Sequence, residues 1–110
     1  MSGDDNMKAA PDYEWQSICT REDLVPGSGV CALVGTEQVA LFYLPGEQPQ
    51  LYAVSNRDPI GHANVLSRGV LGDIDGRLVV ASPLYKQHFD LLTGDCLEQQ
   101  DLQVGVYDVR

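Results

Sequence analysis

Basic residues are scarce in this sequence of 110 residues. It has 7 lysines and arginines against 16 aspartates and glutamates, a formal net charge of −9, and its lysines are Lys8 and Lys86 alone. Proteins that bind nucleic acids or anionic membranes hold phosphate groups with clusters of basic side chains. The charge balance therefore excludes a general nucleic-acid or membrane-surface role, and we expect neither kind of partner.

Long apolar runs are also missing. A membrane-spanning helix needs about 18 or more consecutive apolar residues, and the longest runs, such as residues 39–44, have the length of a strand. The acidic start at residues 1–5 has neither the positive region nor the apolar region of a secretory signal. We therefore expect a cytoplasmic protein without a membrane segment.

Cysteines are few and unpaired in the sequence. Cys19, Cys31 and Cys96 are an odd number, and no C-x-x-C, C-x-H or C-x-x-H pair occurs. This excludes a disulfide framework and the common zinc-binding patterns. We predict that all three are small, buried apolar side chains. No G-x-G-x-x-G motif is present either, which argues against a dinucleotide site.

Short segments with β-strand character fill most of the chain. Apolar and β-branched residues recur in short runs between turn residues, and no segment has a convincing helical period. Asp75-Gly76 is a strong hairpin signal, and residues 35–37 predict a three-residue hairpin loop. The predicted strands are residues 13–19, 30–34, 38–44, 50–54, 70–74, 77–81, 89–92, 96–97 and 103–109. The pattern predicts an all-β antiparallel sandwich or small barrel.

Residues 1–12 differ from the rest because they have no periodicity and no aromatic residue. We predict a disordered N-terminal tail over residues 1–12 and one β domain over residues 13–110.

Two long loops interrupt the β pattern, at residues 55–69 and 81–94, and loops on a rigid sheet often carry function. The first loop contains Asn56-Arg57-x-Pro59. The second loop contains Pro83 and Phe89-Asp90-Leu91-Leu92-Thr93-Gly94. This framing resembles the loops of Rieske-type domains, N-x-C-P-H-x-G and C-P-x-H-x-x-x-F-D-x-x-T-G. The resemblance implies a Rieske-like fold with both loops at one tip.

The cluster ligands of that family are absent at the matching positions. The cysteine positions hold Asp58 and Ser82, and the histidine positions hold Ile60 and Tyr85. A Rieske [2Fe–2S] cluster needs two thiolates and two imidazoles, and isoleucine has no donor atom. We therefore expect no cluster, no metal and no catalytic residue in this chain. We expect the side chains of these four residues to fill the space between the loops instead, with Leu84 and Tyr85 burying the most apolar area there.

A narrower resemblance is to the small subunits of the cytoplasmic assimilatory NAD(P)H nitrite reductases of bacteria. It rests on the ligand-free loops together with Trp15-x-x-Ile18-Cys19 and residues 29–33. It implies an accessory subunit that binds a large subunit, which carries FAD, an iron–sulfur cluster and siroheme and reduces nitrite to ammonia. Members of that family continue beyond residues 107–110, so the last strand of the family's fold is expected to be missing. The alternative is a Rieske-type ferredoxin that transfers electrons through a [2Fe-2S] cluster.

Positive charge is concentrated near the two loops. Arg57, Arg68 and Lys86 lie in them or at their edges, whereas the remainder of the chain is strongly acidic. Complementary charge steers protein association and fixes its register. We hypothesise that the tip docks on the large subunit, with these three cations around Ile60 and Leu84. The alternative is that they are ordinary exposed loop charges.

Overall fold

The computed structural model describes residues 6–10, 16–47 and 50–109. In these ranges the chain forms nine β-strands and two short 3₁₀ turns, with no α-helix. The strands are β1 (Asn6–Ala10), β2 (Gln16–Thr20), β3 (Gly29–Val34), β4 (Glu37–Tyr43), β5 (Leu51–Ser55), β6 (Val70–Ile74), β7 (Arg77–Ala81), β8 (His88–Asp90) and β9 (Val106–Val109). The 3₁₀ turns are Arg21–Asp23 and Leu66–Arg68. None of the described residues belongs to a helix that could cross a membrane.

The strands form two antiparallel sheets. The larger has six strands in the order β2-β1-β9-β5-β4-β3, and the smaller has the order β6-β7-β8. Val70 at the start of β6 pairs with Ala81 at the end of β7. The segments that enter β6 and leave β7 therefore project from the same end of the smaller sheet. We call residues 56–69 loop 1 and residues 82–87 loop 2. The predicted all-β fold with two loops at one tip is confirmed.

The main core lies between the two sheets. Alternate residues of β4 and β5, among them Phe42 and Val54, face Val80 and Phe89 of the smaller sheet, and Leu66 from loop 1 completes this cluster. The intervening residues of the same strands point to the opposite face, because side chains alternate along a strand. Val39, Leu41 and Ala53 on that face form a second cluster with Leu24, Val34 and Tyr107 from other parts of the chain. The central strands are thus buried on both faces.

Two hairpin turns were predicted from sequence. In the β6–β7 hairpin, Asp75 and Gly76 have φ values of 52° and 82°, as a two-residue turn of this hand requires. The backbone N–H of Gly76 donates to Asp73 Oδ1 at 2.9 Å. That prediction is confirmed. The β3–β4 turn is one residue shorter than predicted, because Glu37 pairs directly with Val34 and thus belongs to the ladder.

The N-terminal region differs from the predicted tail. Asn6–Ala10 form strand β1, which pairs with β2 on one side and β9 on the other. Backbone hydrogen bonds to two neighbouring strands do not depend on side-chain periodicity, so the composition of the segment does not reveal them. Residues 1–5 and 11–12 of the predicted tail, and 13–15 of the predicted first strand, lie outside the described residues.

The C-terminal strands are shorter than predicted. Cys96 and Gln103 form only isolated bridges, to Phe89 and Asp95, and regular pairing is confined to Val106–Val109. The reason is that the intervening backbone changes partners within three residues. The Val104 N–H donates to the Gly94 carbonyl at 2.9 Å, whereas the Gly105 carbonyl accepts the Ser55 N–H at 2.8 Å.

Gly94 provides a test of this packing. It has φ +81°, and a Cβ there would lie 2.2 Å from the Val104 carbonyl oxygen. Gly94→Ala should therefore lower the free energy of unfolding by at least about 1–2 kcal/mol. Gly72→Ala is the matched control, because the nearest atom to its Cβ would be 3.9 Å away. Urea unfolding of both variants measures the difference, and equal stability losses would contradict the assigned packing.

Candidate functional site

Asn56 closes loop 1 at its base. Its buried side chain accepts the Ser67 N–H at Oδ1 (2.7 Å) and donates from Nδ2 to Gln38 Oε1 (3.2 Å). Its backbone N–H donates to the Gln38 carbonyl at 2.9 Å, and its carbonyl accepts the Leu66 N–H at 3.0 Å. One asparagine therefore joins both ends of loop 1 to each other and to β4. In the sequence Asn56 is part of the loop motif, and the motif alone does not indicate this structural function.

Asp58 holds the turn inside loop 1. Its carboxyl is fully buried, and Oδ1 accepts the backbone N–H groups of Ile60 at 2.7 Å and Gly61 at 3.0 Å. Its backbone exchanges two further hydrogen bonds, accepting from His62 and donating to Ala63, both at 2.8 Å. This is the local turn that aspartate side chains favour. Asp58 is thus the centre of the loop rather than a group offered to solvent.

Ser82 joins loop 2 to loop 1. Its hydroxyl, which is also buried, donates to Asp58 Oδ2 and accepts the Leu84 N–H at 3.2 Å. The Ser82 backbone accepts from Lys86 at 3.0 Å and donates to Gln87 at 2.9 Å, which closes loop 2. Asp58 and Ser82, which the resemblance to Rieske loops places where that family has cysteines, are therefore hydrogen-bonded to each other between the loops.

The Asp58 carboxyl is held in its charged form. Burial opposes ionisation, but the hydrogen bonds from Ser82, Gly61 and Ile60, helped by the nearby charge of His62, outweigh it. The pKa of Asp58 therefore lies below its ordinary value. A buried carboxylate with this many donors is a stable anion at neutral pH.

Leu84 and Tyr85 do not fill the space between the loops, and that prediction was wrong. Their exposed fractions are 44% and 59%. The Asp58–Ser82 pair occupies the interior, so the two side chains lie outside it, over Gly61. A Cβ on Gly61 would come within 2.4 Å of Leu84 Cδ1 and 3.3 Å of Tyr85 Cε2. Ile60, on the same loop as Gly61, is half-buried.

The three predicted tip cations are all exposed. Arg57 and Arg68 lie on loop 1, and Lys86 lies on loop 2 with φ +67°. None of them forms an ion pair with another residue that the structure describes. By contrast, Arg77 at the opposite end of β7 binds Asp90, with Nε 2.7 Å from Oδ2. The tip therefore presents three exposed cations on a protein with a formal net charge of −9.

Asp58, Ile60, Ser82 and Tyr85, which the resemblance to Rieske loops places at the cluster-ligand positions, offer no thiolate and no imidazole. A Rieske [2Fe–2S] cluster takes two thiolates and two imidazoles. Ile60 offers no donor atom, the Tyr85 side chain lies largely in solvent, and Asp58 and Ser82 already use their oxygens on each other. Within the part of the chain described by the structure, no group of three or more His, Cys, Asp or Glu side chains is arranged to hold a metal ion.

His88 and Cys96 contact the same carboxylate, whereas His62 lies in loop 1 and Cys31 lies on β3. His62 is exposed with φ +58°, and His88 Nδ1 is 2.6 Å from Glu98 Oε2. Cys96 is buried in the main core, as predicted, and its Sγ donates to Glu98 Oε1 at 3.8 Å. Cys31 is exposed on β3, the last strand in the order of the larger sheet, so the prediction that it is buried was wrong. The Cys19 side chain is outside the described residues.

Asp90, outside the tip, accepts two backbone N–H groups on one carboxylate oxygen, as Asp58 does. This function was not predicted from the sequence. Asp90 Oδ1 accepts the N–H groups of Leu92 at 2.7 Å and Thr93 at 3.1 Å, and Oδ2 binds Arg77. Burial opposes its ionisation, but the Arg77 hydrogen bond and the two backbone donors lower the pKa of Asp90. The sequence signal was Asp followed by a Thr-Gly turn.

Comparison with known proteins identifies relatives over nearly the whole chain. The family model for the Rieske-like [2Fe-2S] domain matches residues 14–110. The nitrite reductase (NADH) small subunit of Salmonella typhimurium is 50% identical over 97 residues, which cover 88% of this chain and 89% of that protein. A nitrite reductase [NAD(P)H] large subunit of Klebsiella oxytoca is 45% identical over 102 residues, covering 93% of this chain but 10% of that protein.

Solved structures with the same fold are also similar in sequence. A putative NADH-dependent nitrite reductase small subunit from Mycobacterium tuberculosis has a TM-score of 0.82 and 43% identity, covering 88% of this chain and 85% of that one. The ferredoxin of carbazole 1,9a-dioxygenase from Nocardioides aromaticivorans has a TM-score of 0.68 and 27% identity, covering 83% of each chain.

The free energy of unfolding at low pH tests the Asp58 site. Because the pKa of Asp58 is lower in the folded than in the unfolded chain, its charge stabilises the fold above the unfolded-state pKa of about 4. That contribution is lost as the pH falls through the folded-state pKa. Asp58→Asn should lower the free energy of unfolding by about 1.5–3 kcal/mol between pH 5 and 7. The difference should shrink below about pH 4. Urea unfolding at a series of pH values measures it, and a deficit that stays constant down to pH 2 would contradict the assignment.

Proposed function

The chain belongs to the Rieske-like family of nitrite reductase (NADH) small subunits, and we propose that it is an accessory subunit carrying none of the enzyme's redox cofactors. The observation that carries this proposal is the 50% identity to such a small subunit over 88% of the chain. In this proposal the protein works in the cytoplasm, bound to a large subunit that holds FAD, an iron–sulfur cluster and siroheme and reduces nitrite to ammonia.

The chemistry of the tip supports an accessory rather than an electron-transfer function. Oxygen donors at positions 58 and 82 do not reproduce the soft sulfur site that iron–sulfur clusters require. Their mutual hydrogen bond also satisfies both groups, so neither needs a metal. No residue of the chain is proposed to be catalytic.

An electron-transfer ferredoxin is the second candidate, since the fold is similar to that of the dioxygenase ferredoxin. Such a protein would need a bound cluster, and the absorbance of the purified chain separates the two functions.

We expect the purified chain to be colourless. After anaerobic reconstitution with iron and sulfide it should contain far less than two irons per chain and no visible cluster absorption, because the four ligand positions lack thiolates and imidazoles. Iron and sulfide analysis alongside a visible spectrum measures this, with a Rieske ferredoxin treated in parallel as the positive control. Stoichiometric iron and sulfide would overturn the cofactor-free function in favour of the ferredoxin.

The tip is the proposed docking surface for the large subunit. Arg57, Arg68 and Lys86 are exposed there without an ion pair to a described residue, and the same two loops carry the partly exposed apolar residues Ile60 and Leu84. The K. oxytoca large subunit contains a segment related to nearly the whole of this chain, so there the two modules are parts of one polypeptide. This supports a stable association rather than a transient encounter.

Charge removal at the tip tests the docking surface. Replacing Arg57, Arg68 and Lys86 together with alanine should weaken binding to the large subunit by about 2 kcal/mol or more and make the remaining binding less salt-dependent. Calorimetric titration measures the affinity, and nitrite turnover by the large subunit with and without the chain measures the function.

Arg77→Ala is the control for that experiment. It removes a positive charge from the opposite end of β7 and should leave the affinity nearly unchanged. If the triple variant binds and supports turnover like the parent, the docking face lies elsewhere on the domain.

A further inference from the structure

Leu84 and Tyr85 are adjacent apolar side chains left in solvent at the tip. Among the other exposed apolar residues, Leu92 and Val106 line one groove of the larger sheet, whereas Leu33 and Val70 come singly from separate strands. Isolated ones are ordinary on protein surfaces, whereas an aromatic and an aliphatic residue side by side form the type of anchor that concentrates binding energy. Their position next to Lys86 adds charge at the edge of this apolar pair.

The two side chains are supported from below by loop 1. Gly61 has no Cβ, which leaves room for Leu84 and Tyr85 directly above its backbone. A methyl group at that position would lie 2.4 Å from Leu84 Cδ1, so the Leu84 side chain would have to shift. The two side chains therefore lie against the backbone of loop 1 although they belong to loop 2.

The Asp58–Ser82 pair fixes the position of the loop 1 backbone beneath these two side chains. Asp58 Oδ1 holds the backbone N–H groups of Ile60 and Gly61, while Ser82 Oγ holds the Leu84 N–H. Because Ser82 also donates to Asp58 Oδ2, one buried hydrogen bond connects the backbone of loop 1 to the segment of loop 2 that carries the two apolar side chains. Preformed surfaces lose less conformational entropy on binding.

We propose that Leu84 and Tyr85, seated on Gly61, are the binding anchor for the nitrite reductase large subunit, and that Asp58 and Ser82 are the positioning residues that preform it. This inference rests on the proposed function and adds the anchor, its support and the kind of surface it fits. The complementary surface is an apolar recess bordered by acidic side chains, which would receive Tyr85 and meet the cations of the tip.

The charge distribution favours the large subunit over a second copy of this chain as the occupant. A symmetric contact between two tips would bring Arg57, Arg68 and Lys86 against themselves, and like charges across an interface are unfavourable. The fused relative from K. oxytoca, by contrast, has a related domain within a large-subunit chain.

Truncation of the anchor is the first test. Tyr85→Ala and Leu84→Ala should each weaken binding of the full chain to the purified large subunit at least tenfold, measured by calorimetry or biolayer interferometry. Both residues are exposed, so the fold should survive. Leu92→Ala, which removes a similarly exposed leucine, is the control and should bind within twofold of the parent.

Displacement of the anchor without loss of its side chains is the second test. Gly61→Ala should weaken binding at least fivefold, whereas Gly72→Ala should not. Ser82→Ala should weaken it, and Ser82→Thr, which retains the hydroxyl, should recover most of the loss. Asp90→Asn disturbs the equivalent carboxylate outside the tip, so it separates loss of stability from loss of positioning. Slow amide exchange at Ile60, Gly61 and Leu84 in the parent should become fast in Ser82→Ala but not in Asp90→Asn.

The outcomes distinguish this inference from the proposed function. If the parent binds the large subunit and the Tyr85, Leu84 and Gly61 variants bind equally well, the anchor is wrong and the proposed function stands. If the variants at Asp58 and Ser82 lose affinity only in proportion to their stability, as Asp90→Asn does, the positioning assignment is wrong. If the parent itself does not bind, the proposed function fails, and the anchor with it.

Discussion

The hydrogen bond between the Ser82 hydroxyl and the Asp58 carboxylate joins two loops that are separated along the chain by the whole β6–β7 hairpin. A buried carboxylate is tolerated only when its oxygens have donors. Here Oδ1 has two backbone donors and Oδ2 has the hydroxyl, so the charge is satisfied within the tip. Loop 1 supplies the carboxylate, and loop 2 supplies the hydroxyl that donates to it.

A metal cluster and this hydrogen bond both hold two loops together, but by different chemistry. In a Rieske domain the ligands from two loops meet on iron. In this chain a buried hydrogen bond between Asp58 and Ser82 joins the two loops. Leu84 and Tyr85, next to it in the sequence, are exposed. Such a bond can hold two loops together when all of its polar atoms are paired.

Local signals predicted the regular part of the fold well. The Asp75-Gly76 turn and the alternation in β6 and β7 determine that hairpin from residues close in sequence. Strand β1 was not predictable in this way, since its partners in β2 and β9 supply backbone hydrogen bonds that no side-chain pattern encodes. The predicted strands around β8 and β9 were too long, because the backbone there changes hydrogen-bond partners, which no side-chain pattern encodes.

The tip was predicted in position but not in detail. The motif residues identified both loops and the absence of thiolates and imidazoles at four positions. They did not indicate that Asp58 and Ser82 bond to each other, because that contact crosses 24 residues. The error at Leu84 and Tyr85 followed from it: apolar residues were expected to occupy an interior that a polar pair fills.

Strand β9 has a further consequence for how the domain reaches its native state. It lies between β1 and β5 in the larger sheet, so it links β1–β2 to β3–β4–β5. Among the described strands it is also the last in sequence, and its partner β1 is the first. Before β9 docks, the larger sheet consists of two separate pieces, and the contacts that unite them span almost the entire sequence. High contact order of this kind slows folding to milliseconds or longer. On the ribosome, the sheet can close only after β9 has left the exit tunnel, so the tip can form on the smaller sheet before the larger sheet is complete.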